Sequence, residues 1–159
     1  MSLPVEAGSG SDPSATSIDL SLVSLALDQC QGLLPGPTAL QLSPVLLAYV
    51  GDAVYELYMR LHFLLPPQRI QAYHRQVVQQ VRAEQQSSHL ETLREHLTET
   101  ELAIVRRGRN AASSPPKRVS FQVYQQATAL ETLVGYLYLT DPDRLQALWQ
   151  HLRLDASSK

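Results

Sequence analysis

Cysteine is nearly absent from this sequence. Cys30 is the single example in 159 residues, which excludes an internal disulfide and any cysteine-rich zinc site. Such usage fits a reducing compartment. Long apolar runs are also missing, since none approaches the roughly 20 residues of a membrane-spanning helix. The first residues lack the basic start and apolar core of a secretory signal. They carry Glu6, Asp12 and Asp19 but no arginine, which is unlike a transit peptide. The expected location is therefore the cytoplasm. Strand pairs, hairpin turns and internal repeats are lacking as well. The five histidines (His62, His74, His89, His96, His151) show no metal-protease spacing, and no Ser/His/Asp arrangement points to a covalent intermediate. Recognition-helix, zinc-finger and aromatic RNA-binding signatures are absent too, which argues against a sequence-specific reader of nucleic acid.

What is present fits one folded unit. Apolar residues make up 44% and charged residues 18% of a chain long enough to bury its own core. The net charge of −2 hides an asymmetry. Positions 60 to 118 hold ten arginines or lysines against five glutamates, a net +5 within an otherwise acidic chain. Such a segment either faces a polyanion or forms ordinary solvated helix surface.

Residues 1–16 read as a flexible tail and 17–159 as a single domain. A short helix over Leu20–Leu27 precedes a break at Gly32–Pro37. Ser43-Pro44 is an N-cap with proline in the first turn. The helix that follows runs to Leu65, ahead of Pro66-Pro67, and is apolar nearly all round, as a central buried helix would be. Helical spacing continues through Ile70, Tyr73, Val77, Val78 and Val81, and again at Leu90, Leu93 and Leu97. Thr98 to Glu101 has the form of a capping box, opening a helix that Gly108 and Asn110 are expected to end. A loop over residues 111–116 leads to a second long helix, Val119–Leu139, and then a last one, Arg144–Leu152. The fold class is all-α.

Two acids interrupt the long apolar helices: Asp52, just after Gly51, and Glu131, four residues before Gly135. Each interior glycine costs about 1 kcal/mol relative to alanine. Small residues near each acid (Ala48, Gly51 and Ala53; Ala127, Ala129 and Gly135) would let the two helices approach closely. Facing carboxylates could then share a hard cation such as magnesium. The pattern is equally met by exposed acids or by acids paired with arginine. Glu56, one turn after Asp52, is a supporting carboxylate or a surface residue. Downstream, Arg106, Arg107, Arg109, Asn110, Lys117 and Arg118 make a basic element suited to gripping phosphates, although arginines near a helix C-terminus also serve the helix dipole. A reader of duplex backbone shape fits this element, and double-stranded RNA is read mainly that way.

The stretch Tyr49-Val-Gly-Asp-Ala-Val-Tyr-Glu56 resembles the signature helix of the ribonuclease III family. Ala127 to Leu139 is similar to that family's second acidic helix. Val105-Arg-Arg-Gly-Arg-Asn-Ala111 resembles its short branch, Mini-ribonuclease III. The similarity is strongest over 42–152. It implies an all-helical catalytic (endonuclease) domain acting as a homodimer on double-stranded RNA. It also implies magnesium, or manganese as a substitute, held by Asp52 and Glu131 as the catalytic acids. The products would carry 5′-phosphates, and the substrate would be the precursor of large-subunit (23S) ribosomal RNA, with no nucleotide cofactor and no membrane partner. The longer enzymes carry further acids where this chain has Val45, Ala48 and Thr128, so the resemblance leaves two matching carboxylates. Two alternatives stand beside it. One is a non-catalytic RNA-binding homologue of the same fold; the other is a helical protein–protein module with its acids in ordinary salt bridges.

Overall fold

A computed structural model describes residues 32–152 and Leu154. The expected tail and the Leu20–Leu27 helix lie outside the described residues. Within them the chain is helical, with no strand. The helices are α1 (Gly36–Gln41), α2 (Pro44–His62), α3 (Ile70–Val81), α4 (Ala83–Leu93), α5 (Glu99–Ala111), α6 (Phe121–Thr140) and α7 (Pro142–Trp149), with a 3₁₀ turn at Arg94–His96 between α4 and α5.

Local chemistry sets most of these boundaries. The hydroxyls of Ser43 and Ser120 accept hydrogen bonds from the backbone N–H groups of Leu46 and Val123, capping the two long helices. Thr98 and Glu101 form the expected capping box at the start of α5. Asp141 caps α7, which therefore begins at Pro142, two residues earlier than its apolar pattern indicates.

Other boundaries differ from the sequence reading. Gly36 opens α1 with Pro37 in its first turn, so the Gly32–Pro37 break is shorter than expected. α2 ends at His62 rather than Leu65. Arg82 is extended (φ −69°, ψ 149°) and separates α3 from α4. α5 continues past Gly108 to Ala111. Gly108 is an interior contact residue and not a terminator. A Cβ there would lie 2.7 Å from the Thr132 Cβ and 3.0 Å from the Ala129 Cα.

α6 is the axis of the domain, and α2, α4 and α5 pack around it. Leu47, Tyr55 and Met59 of α2 meet Leu130, Leu133 and Val134 of α6, with Leu90, Leu93 and Ile104 closing the core. Trp149 of α7 stacks on Tyr58, ring centres 4.4 Å apart. Contrary to expectation, α2 is not buried all round. Val45, Leu46, Tyr49 and Leu57 form an exposed apolar stripe, with Tyr49 82% exposed. At roughly 100° per residue these positions fall within an arc of about 120° and so share one face of the helix.

Candidate active site

The two acids are positioned by main chain pressed against main chain. α2 crosses α6 at Gly51 and Gly135. A Cβ on Gly51 would overlap the Glu131 carbonyl oxygen and lie 2.7 Å from the Gly135 nitrogen. A Cβ on Gly135 would overlap the Leu47 carbonyl oxygen. Only glycine permits this approach. Asp52 follows Gly51 directly, and Glu131 is the residue whose carbonyl Gly51 touches, so the crossing puts both acids at one seam.

Their environments differ from the expected pair of buried carboxylates. Asp52 is exposed at the rim of α2. Partial burial of its carboxyl, and then the charge of Glu56, raise its pKa. Glu131 is half-buried. Burial first, and the neighbouring Asp52 charge second, push it up to about 7, against a hydrogen bond from Gln86 that favours the ionised form. Among the described residues neither acid forms an ion pair with a lysine or arginine. Glu56 does pair, with Arg60 one turn along α2. Two uncompensated carboxylates at one seam are suited to a divalent cation, which takes oxygen ligands and keeps part of its water shell. No cluster of three or more His, Cys, Asp or Glu that could hold a metal occurs among the described residues, so this pair would leave most of a cation's coordination to water or substrate.

Behind Glu131 lies a polar layer that sequence reasoning did not single out. Gln86 of α4 is 3% exposed and hydrogen-bonds Glu131. Tyr55 is fully buried and close enough for the Glu131 charge to raise its pKa, burial being the larger cause. Its hydroxyl lies 2.9 Å from the Gln80 carbonyl oxygen and 2.7 Å from Nδ1 of buried His89. The single hydroxyl proton goes to the carbonyl, which can only accept. Nδ1–H of His89 then donates to the Tyr55 oxygen, and Nε2 accepts from the Gln85 amide at 3.0 Å. That arrangement requires a neutral imidazole, consistent with burial lowering the His89 pKa to about 4. The signal for this layer was available. Gln86 stands at the apolar register of α4, in line with Leu90 and Leu93.

The basic element divides. Arg106 and Arg109 are exposed and line a cavity with Arg94, Leu102, Val105 and Gln126. Arg107 turns the other way and donates to the Leu42 carbonyl at 3.0 Å, tying α5 to the chain ahead of α2. Asn110, Lys117 and Arg118 are exposed at the end of α5 and in the loop before α6. No helix among the described residues is long and apolar enough to cross a membrane.

Comparisons with known proteins bear on this arrangement. A family model described as the ribonuclease III domain matches residues 46–142, spanning both acids and the basic element. The Mini-ribonuclease 3 of Thermosynechococcus vestitus is 57% identical over 129 residues, covering 79% of this chain and 85% of its own. That of a Synechococcus species is 59% identical over 114 residues, covering 72% and 83%. A Fusobacterium nucleatum protein solved by X-ray crystallography superposes with a TM-score of 0.64 at 28% identity, covering 68% of this chain and 90% of that one. The chain is thus an endoribonuclease and belongs to the ribonuclease III family, in its short Mini-ribonuclease 3 branch.

Proposed function

We propose that the chain hydrolyses double-stranded RNA as a homodimer, with Asp52 and Glu131 holding a divalent cation, magnesium or manganese, at each cutting site. The observation that carries this reading is the Gly51–Gly135 crossing, which gathers two acids without a cationic partner at one seam. Bound there, the cation would supply Lewis-acid polarisation of the phosphodiester and a water of lowered pKa. The chain's own groups do the rest. Asp52 presents its carboxylate at the solvent rim. Glu131 presents the second carboxylate, held by the Gln86 amide. Glu56 remains engaged with Arg60 and adds negative potential beside Asp52. Water attacks phosphorus, the bond to the 3′-oxygen breaks, and the products carry a 5′-phosphate and a 3′-hydroxyl.

Asn110, Lys117 and Arg118 grip the duplex backbone, with Arg106 and Arg109 offering further cations to the RNA from the same helix; Arg107, tied to the Leu42 carbonyl, holds α5 in place rather than reaching the RNA. With so few cations the affinity is modest and falls with salt. The exposed stripe Val45, Leu46, Tyr49 and Leu57 supports a second copy of the chain as the partner of α2. The cellular substrate in this reading is the precursor of 23S ribosomal RNA, and the location is the cytoplasm.

The test is cleavage of an end-labelled RNA duplex with and without magnesium. Asp52→Asn and Glu131→Gln are each expected to lose about 1,000-fold in rate, roughly 4 kcal/mol of barrier, while retaining duplex binding in a gel-shift assay. Cleavage by either variant at the wild-type rate would remove the acids from the mechanism.

A further inference from the structure

The cavity between α5, α6 and the 3₁₀ turn lies on a different flank from the acids. Gln126 and Glu131 are five residues apart on α6, about 7–8 Å along its axis and about 140° around it. A ligand seated beside Gln126 therefore does not lie over the α2–α6 seam. The cavity volume is about 150 Å³; an engineered apolar cavity of that size admits benzene. Leu102 and Val105 supply apolar surface, while Arg94, Arg106, Arg109 and Gln126 supply polar groups. No acidic residue lines it.

The polar groups are differentiated. Arg94 is tethered, its Nε donating to Glu91 at 3.2 Å and its terminal nitrogen to the Gln126 side-chain oxygen at 3.4 Å. That contact occupies the Gln126 oxygen and leaves the amide nitrogen as a donor. Arg106 and Arg109 are exposed, with no ion pair among the described residues. One side of the cavity can thus accept a flat apolar ring, another an oxygen acceptor on that ring, and the rim a phosphate in guanidinium forks. A nucleotide combines these three features, and unpaired bases commonly lie against arginine planes.

We propose that this cavity binds one unpaired nucleotide, its phosphate on Arg106 and Arg109 and its base against Leu102 and Val105. The proposal rests on the RNA reading above and extends it to a second contact point. The nucleotide comes either from a strand of the RNA substrate, as an overhanging or splayed residue, or from a free mononucleotide.

Calorimetric titration of the full chain with uridine 5′-monophosphate, uridine and inorganic phosphate tests it. The monophosphate is expected to bind at least about tenfold more tightly than either fragment. Arg106→Gln and Leu102→Gln should each weaken it about tenfold, with melting temperatures confirming that both variants fold. Equal affinity for the three probes, or an unchanged affinity in both variants, would overturn the proposal. A second arm identifies the source by comparing KM for a blunt duplex with KM for one bearing a single-nucleotide overhang. An overhang that lowers KM in the wild type but not in Leu102→Gln assigns the cavity to the RNA strand. An overhang without effect, alongside tight monophosphate binding, assigns it to the free nucleotide. Failure of the wild type to cut any duplex would sink the nuclease reading of the acids, and the calorimetry would still decide the cavity.

Discussion

Two glutamates, each in an α-helix of the same domain, meet opposite fates. Glu101, at the start of α5, is 4% exposed and fully compensated. Arg144 donates to both of its oxygens, at 2.8 and 3.0 Å, and also reaches the His96 carbonyl at 2.6 Å. The Thr98 backbone N–H donates to it at 2.7 Å. Burial pushes the Glu101 carboxyl up, but these hydrogen bonds and the Arg144 charge outweigh burial and hold it below the usual glutamate range. Glu131 has one amide donor and a like-charged neighbour, and its pKa rises to about 7. The first glutamate staples α7 to α5. The second carries a charge that burial and Asp52 disfavour, and that a proton or an external cation would relieve. A buried acid is therefore informative chiefly through its company.

The contrast can be broken at either end. The largest expected effect is at the staple: Arg144→Ala should lower unfolding free energy by about 2–4 kcal/mol, because Glu101 is left without its partner. In urea denaturation this appears as a lower midpoint, with the cleavage rate per folded molecule preserved. A midpoint within error of wild type would show the pair to be ornamental. Next comes Gln86→Leu. Removing the donor behind Glu131 is expected to reduce magnesium affinity or cleavage about 10–100-fold, the range for groups that orient metal ligands, while leaving the urea midpoint close to wild type. A larger loss of stability than of activity would make Gln86 a core residue only.

The smallest effect is in pH dependence. Glu131 has a folded pKa above its unfolded value, so its contribution is fully present below the ordinary glutamate pKa of 4.5 and is lost as pH rises through about 7. Glu101 works in the other sense, stabilising above the usual carboxylate range and losing that contribution as pH falls. Without divalent cations, Glu131→Gln should therefore gain stability over wild type between pH 5 and pH 8, on the order of 2 kcal/mol. Excess magnesium should close that gap. A gap independent of both pH and magnesium would mean that Glu131 is already neutralised inside the protein.

The sequence pattern revealed the two long helices, the capping box and the glycine-mediated approach, because each depends on spacing within one helix or on a residue type with one physical use. It also located Asp52 and Glu131. It misjudged α2 as buried all round, since an exposed apolar stripe and one that meets the core have the same composition. It took Gly108 for a terminator, because a glycine beside asparagine signals a helix end unless the packing of Thr132 across the interface is known. Gln86, Tyr55 and His89 were missed as a set. Their roles come from contacts across 25 to 45 positions of chain, which no local periodicity reports.

The Gly51–Gly135 contact has a consequence for how the domain tolerates change. Because backbone rests on backbone there, the spacing of the two helices at the crossing does not depend on the shapes of neighbouring hydrophobic side chains. Leucines and valines in the interior can be exchanged, or jostled by heat, without resetting how closely the two helices that carry Asp52 and Glu131 approach. The crossing is a machined part within a softer interior, and it yields only when the two helices themselves come apart.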